Sequence, residues 1–243
     1  MIMHKYAKNI RFEDLIIFEN INYIIINKPP YVSTLEDRHD PINILKLAKT
    51  YHEDAQVCHR LDKETSGSLV IAKNFEAYRH FSIMLEKRQV KKIYHAVSHG
   101  LHQIENLEAD QPLAIGANKS RVDYREGKSS LTMIATLENF RNHTLFKCFP
   151  VSGRLHQIRV HLAHHKAPIV SDPAYGGELI YLSQIKKRYN IKKFEEEQPL
   201  IPRVALHAES IVFRDLENEK EISASAPYPK DFEILIKQLR KHS

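Results

Sequence analysis

The stretch His59-Arg60-Leu61-Asp62-Lys63-Glu64-Thr65-Ser66-Gly67 is the most specific part of this chain. An arginine stands two positions before an aspartate, and a Thr-Ser-Gly turn follows. Seven specified positions in nine residues arise by chance in about 10⁻⁷ of chains of this length. An isolated Arg-x-Asp triplet usually marks a structural ion pair in a loop; the full nine-residue pattern points instead to chemistry. A guanidinium beside a carboxylate lowers the carboxylate pKa and keeps it ionised at neutral pH. Such a carboxylate can attack an electron-poor carbon or support its developing charge. The next residues, 68–72 (Ser-Leu-Val-Ile-Ala), read as a buried strand leading away from Gly67.

Working outward, two apolar runs at 15–18 and 23–26 are separated by Glu19-Asn20-Ile21-Asn22, a hairpin signal that ends at Pro29-Pro30. Asp40-Pro41 offers an N-cap and first-turn proline for a short helix through about Thr50. Asn74 is the expected N-cap of a helix to about Arg88, with Phe75, Tyr78, Phe81 and Leu85 on one face. Residues 92–98 read as a strand, and alternating segments at 131–137 and 144–149 predict an antiparallel meander. Helical spacing returns at 155–165, strand character at 205–214, and a closing helix at 231–241 carries the stripe Phe232, Leu235, Ile236 and Leu239. Strands and helices alternate without a strict βαβ rhythm. The expected class is therefore α+β, a mixed, mostly antiparallel sheet with flanking helices.

Composition narrows the partners. The 243 residues carry 36 Lys+Arg against 30 Asp+Glu, a net charge of +6, and an apolar fraction of 42%. A basic balance suits a polyanion, although many basic proteins bind none. Two cysteines, Cys58 and Cys148, cannot form a disulfide framework and read as reduced, buried thiols. No run is long enough for a signal peptide or a membrane span, so the expected location is the cytoplasm. Residues 178–203 stand apart in composition, with Lys186-Lys187-Arg188, Lys192-Lys193 and Glu195-Glu196-Glu197. They read as a solvated excursion with its own ion pairs, or as a lobe whose lysines meet phosphates.

Three further segments share the order and character of a known family. Ser152-Gly153-Arg154-Leu155-His156-Gln157-Ile158-Arg159-Val160-His161 has Arg154 ahead of a helical run; Lys92-Ile93-Tyr94-His95-Ala96 places a tyrosine in a strand; Asn27-Lys28-Pro29 closes the first hairpin. With the His59–Gly67 signature, these resemble the RluA-type RNA pseudouridine synthases over about residues 12–235. Leu155 and Ser152 depart from that family's pattern, which has Thr or Ser at the first position and Thr at the second. Asp172-Pro173-Ala174-Tyr175-Gly176, Leu206-His207-Ala208 and Pro227-x-Pro229-x-Asp231 are weaker echoes, read as turns and strand ends. Four of the seven glycines (67, 153, 176, 177) fall in or beside the matched segments.

The resemblance implies the pseudouridine synthase fold around a central RNA-binding cleft, and an isomerase that breaks a uridine N1–C1′ bond and rejoins the base through C5. That reaction needs no cofactor and no metal. It implies Asp62 at C1′ of the ribose, either as nucleophile or as support for a glycal-like intermediate, with Arg154 as its partner. Tyr94 would stack on the extruded base or move a proton. Arg60, Lys28, His59, Thr65, Gln157 and Arg159 are candidate substrate or RNA contacts, Lys28 alternatively as a brace of the site loop. His161 and His165 lie four apart, but no Glu follows as in His-Glu-x-x-His and no Cys is near, so a hydrogen-bonding helix face is expected rather than a metal site. The expected domain is 12–243, with 1–11 an N-terminal extension, 178–203 an excursion, and no S4 module. The expected substrate is structured RNA, a ribosomal (23S type) or transfer RNA stem-loop, bound by a monomer. Two rivals remain: an RNA-binding or RNA-folding factor with vestigial catalysis, and a nucleic-acid glycosidic hydrolase. The hydrolase would need a second carboxylate, for which only Glu64 is near.

Overall fold

The computed structural model describes residues 10–36, 42–116, 119–189 and 196–243. In chain order the elements are β1 (Ile16–Glu19), β2 (Tyr23–Lys28), α1 (Ile44–Tyr51), β3 (Gln56–Val57), β4 (Ser66–Ala72), α2 (Phe75–Glu86), β5 (Lys91–His99), β6 (Leu107–Ala109), β7 (Leu113–Ile115) and β8 (Ser120–Val122). They continue with β9 (Thr132–Asn139), β10 (His143–Pro150), α3 (Gln157–His164), α4 (Leu182–Ile185), β11 (Leu206–Arg214), β12 (Glu221–Ser225) and α5 (Lys230–Lys241). Two compact units share them. The first joins Met1–Ile93 to His207–Pro227, and the second joins Tyr94–Leu206 to Tyr228–Ser243.

The first unit is a mixed sheet with α2 packed on it. The predicted hairpin forms β1 and β2, which pair antiparallel, and β2 pairs antiparallel with β4 from Tyr23↔Ala72 to Lys28↔Gly67. All seven residues of β4 are buried, as a sheet covered on both faces requires. At its start β4 runs parallel to β11, with His207 beside Ser66 and Ala208 beside Gly67, and β12 closes the far side of β11. The core gathers Tyr23, Ile25, Val70, Phe81, Ile211 and Phe213. Asn74 caps α2 as expected, accepting from the Ala77 N–H at 2.8 Å. Its apolar face is Ala77, Phe81 and Met84, flanked by Tyr78 and Leu85. Phe75 departs from the prediction and is 62% exposed. In a first turn the side chain leans back toward the N-terminus, away from the surface that the later turns cover. The cap of α1 is Asn43, which accepts from Lys46 N–H at 2.9 Å; Asp40 and Pro41 lie outside the described residues.

The second unit is an antiparallel meander. β5 pairs β10, β10 pairs β9, and β9 pairs β6, so the alternating segments at 131–137 and 144–149 form neighbouring strands. β7 and β8 make a separate two-stranded ribbon. The α5 stripe Phe232, Leu235, Ile236 and Leu239 is fully buried against Ile134, Phe146, Ile158 and Leu162. Arg203, itself buried, holds the start of α5 through a bidentate pair with Asp231 at 2.7 and 2.9 Å. The 178–203 excursion is tied down by buried Ile180 and Ile201, and Lys186 stands over the Tyr189 ring at 5.7 Å. Its Lys192, Lys193 and Glu195 lie outside the described residues. Cys58 and Cys148 are both free and buried.

Candidate active site

In the first unit the signature forms a loop between β3 and β4 whose two flanks are held by main-chain contacts. Upstream of Asp62, Thr34 clamps Leu61 twice: its hydroxyl donates to the Leu61 carbonyl at 2.8 Å and accepts from the Leu61 N–H at 3.2 Å. Downstream, the Thr65 N–H returns to the Asp62 carbonyl at 3.0 Å and closes the turn. The Lys63 carbonyl accepts from the Tyr31 N–H at 2.8 Å and from the Lys28 ammonium at 3.2 Å. Asp62 itself is half-buried, and Arg60 is exposed.

Gly67 explains why the turn ends as it does. Its φ is +117°, and a Cβ there would sit 2.1 Å from the Ala208 carbonyl oxygen. Only glycine lets β4 approach β11 this closely. The same junction is closed by Ser66 Oγ against His207 Nδ1 at 2.9 Å, with His207 Nε2 on the Ala226 carbonyl at 3.0 Å. The Leu-His-Ala segment is thus the second wall of the signature loop.

Several expected RNA contacts in this unit turn inward. Lys28 is fully buried, and its ammonium donates to the carbonyls of Pro29, Val32 and Lys63 at 2.9, 2.9 and 3.2 Å. It braces the loop rather than reaching a surface. His59 accepts from the Val70 N–H at 3.2 Å and stacks on Phe81 with centroids 5.9 Å apart. Burial, aided by the nearby Lys92 ammonium, pushes its pKa down to about 3, so it is neutral. Thr65 is buried, and its hydroxyl has no hydrogen-bond partner among the described residues.

In the second unit Arg154 lies three residues ahead of α3, in a segment built by Gln157. The Gln157 carbonyl oxygen accepts from Ser152 Oγ at 2.7 Å and from the Arg154 N–H at 3.1 Å. Its amide nitrogen donates to the Leu131 carbonyl and to Thr132 Oγ1, both at 2.9 Å. That exhausts the side chain's two donors and both acceptor sites. Gln157 therefore positions the arginine backbone instead of meeting RNA. The Arg154 side chain is exposed, with Nε donating to the Ser129 carbonyl at 3.3 Å. Helical geometry begins at Gln157, later than predicted, because His156 adopts the left-handed region at φ 55°.

Arg159 is corrected in the same way. It makes a buried bidentate pair with Asp172, both bonds 2.7 Å, and its guanidinium packs 5.1 Å from the Tyr175 ring centre. A cation committed to a buried carboxylate is not a phosphate ligand. Tyr94 stands on β5 opposite Cys148, half-buried beside the core. His161 is fully buried, with Nδ1 on Thr132 Oγ1 at 2.9 Å and Nε2 on the Gln111 carbonyl at 3.1 Å; His165 meets Gln111 Oε1 at 3.1 Å. His161 and His165 serve hydrogen bonds, and among the described residues no cluster of metal-ligating side chains occurs. The sequence reading missed Thr34 and Ser129, which no motif marks, and treated Tyr175 only as part of a turn.

Comparison with known proteins finds similarity over most of the chain. The family model described as RNA pseudouridylate synthase matches residues 22–164. The ribosomal large subunit pseudouridine synthase C of Buchnera aphidicola subsp. Baizongia pistaciae is 32% identical over 240 residues, covering 95% of this chain and 72% of the relative. The ribosomal large subunit pseudouridine synthase D of Xanthomonas campestris pv. campestris is 33% identical over 237 residues, covering 94% and 70%. Among solved structures, human RNA pseudouridylate synthase domain containing 4 superposes with a TM-score of 0.70 at 23% identity, covering 94% of this chain and 95% of that one. A signature loop clamped about Asp62, an arginine segment built on Gln157, and these matches across both units lead to one assignment: the chain belongs to the RNA pseudouridylate synthase family, isomerases that act on RNA uridines.

Proposed function

We propose that this chain converts uridine to pseudouridine in large-subunit ribosomal RNA, acting as a single catalytic domain over residues 12–243, as a monomer in the cytoplasm. The bacterial relatives' names support the choice of RNA. The observation that carries the reading is the clamping of Asp62. Thr34 holds the residue before it, and Lys28 with Tyr31 holds the residue after it. A carboxylate that must meet one ribose carbon needs such preorganisation, since small misplacements cost large factors in rate.

The reaction follows from that placement. A uridine is extruded from its stack, and Asp62 engages C1′ as the N1–C1′ bond breaks. The freed uracil turns in place and C5 bonds to C1′. The C5 proton then leaves and N1 gains one, so the product is an isomer of the substrate and no donor or oxidant is consumed. Tyr94 stacks on the base and serves the proton transfer. Arg154 is the partner that the family resemblance assigns to Asp62. Arg60, the exposed cation of the signature, holds the strand from which the base has left.

The test presents unmodified transcripts of large-subunit ribosomal RNA and of transfer RNAs to the enzyme, then locates pseudouridine by carbodiimide adducts that stop reverse transcription. New stops in ribosomal RNA, absent with Asp62→Ala, are expected. Stops confined to transfer RNA would overturn the choice of substrate, and full activity of Asp62→Ala would overturn the site.

A further inference from the structure

Tyr175 sits at the centre of a network that reaches Arg154 from a side the mechanism has not used. Its hydroxyl lies 3.0 Å from His156 Nδ1, 3.0 Å from the Ser120 N–H and 3.1 Å from the Ser120 carbonyl. A phenol has one proton and two lone pairs. All three contacts are satisfied when the hydroxyl donates to the Ser120 carbonyl and accepts from both the Ser120 N–H and a proton on Nδ1. The ring is fixed independently: the Arg159 guanidinium lies 5.1 Å from its centre, and Arg159 is itself locked to buried Asp172. The His156 ring meets it edge-on, at 90° with centroids 5.7 Å apart.

His156 is the residue through which this matters. Its φ of 55° and ψ of 23° are costly for a side chain with a Cβ, and such a conformation persists only where its surroundings enforce it. That left-handed residue turns the chain between Arg154 and α3. Released from Tyr175, it would relax toward an ordinary conformation and redirect the arginine. Arg154 is also held directly, through its own Nε bond to the Ser129 carbonyl.

We propose that Tyr175 is a positioning residue for Arg154, acting through the left-handed His156 and anchored on strand β8. The proposal rests on the reading that Arg154 serves the reaction. Tyr175→Phe keeps the ring and its packing on Arg159 but removes the hydroxyl contacts. In the full-length protein, amide exchange in residues 152–158 should rise more than in the rest of the second unit. The single-turnover rate should fall about 10- to 100-fold, with RNA affinity within about twofold of wild type. In a His156→Gly background, where left-handed backbone is free, Tyr175→Phe should cause little further loss of rate, because both changes cut one path.

Unchanged exchange in 152–158 would overturn the proposal, as would a wild-type rate for Tyr175→Phe. An equal fall in the His156→Gly background would also overturn it, since it would assign the hydroxyl a general stabilising role through Ser120. If the wild-type enzyme modified no RNA, the proposed function would fail on its own, while the exchange measurement would still decide whether Tyr175 holds the Arg154 segment.

Discussion

Replacing Lys28 with methionine separates a brace from an RNA contact. Methionine nearly matches the volume of lysine, so packing changes little, but three charge-assisted bonds to carbonyls disappear. The Lys63 oxygen keeps its bond from the Tyr31 N–H, leaving chiefly the Pro29 and Val32 oxygens to lose a partner. A buried polar group left unsatisfied costs about 1–3 kcal/mol. Two such groups, less the relief of no longer burying a cation, set the expected loss at about 2–4 kcal/mol. Urea unfolding of Lys28→Met measures it. The rate of uridine conversion should fall as well, because Lys63 adjoins Asp62. The decisive comparison is the salt dependence of RNA binding. A lost phosphate contact would lower the slope of log K against log salt by about 0.7–0.9, whereas a brace leaves it unchanged. Full stability together with a reduced slope would refute the reasoning.

Other substitutions test the same physical account. Gly67→Ala must move the Ala208 carbonyl and adopt φ +117°, so a loss of about 3–5 kcal/mol is expected; Gly176→Ala, with nothing within 4 Å of the added methyl, should cost only about 1 kcal/mol, and thermal melts of the pair check the contrast. Asp172→Asn strips the buried Arg159 of its counter-charge and should destabilise by about 3–5 kcal/mol, with much of it recovered when Arg159→Met is added. His59 is neutral in the fold, with a pKa near 3 against about 6.5 in the unfolded chain. The unfolded state therefore binds the extra proton, and the contribution is complete above pH 6.5 and lost as pH falls toward 3. With the ring partly reached by solvent, a loss of about 1–2 kcal/mol between pH 7.5 and 5 is expected. His59→Gln should flatten that dependence in urea titrations at the two pH values.

What the sequence made legible was local. The α5 stripe, the β1–β2 hairpin, the Asn74 cap and the β9–β10 pair all follow from periodicity or capping within a dozen residues. The parallel pairing of β4 with β11 does not, because it joins residues about 140 positions apart and is recorded only in Gly67 and its neighbours. Charged residues are ambiguous for a related reason, and for Lys28 the sequence left both an RNA contact and a loop brace open. Lys28 and Arg159 look like phosphate ligands in a basic chain, since nothing local distinguishes a cation facing solvent from one facing buried carbonyls or Asp172. Their partners arrive through tertiary structure. Asp40 and Asn43 are residue types of similar capping strength three positions apart, and sequence alone does not rank them. Arg60, Asp62, Tyr94 and Arg154 stand in motifs whose chemistry constrains residue identity, which is why the sequence proposes them for the site; Gln157, read as an RNA contact, instead holds the Arg154 segment.

Release of tritium from RNA carrying [5-³H]uridine measures directly whether Asp62 drives rejoining of uracil through C5, since the C5 hydrogen leaves only after the new bond forms. Release by the wild-type enzyme and none by Asp62→Ala is expected. Release by Asp62→Ala at the wild-type rate, or free uracil with no tritium release from the wild type, would contradict it.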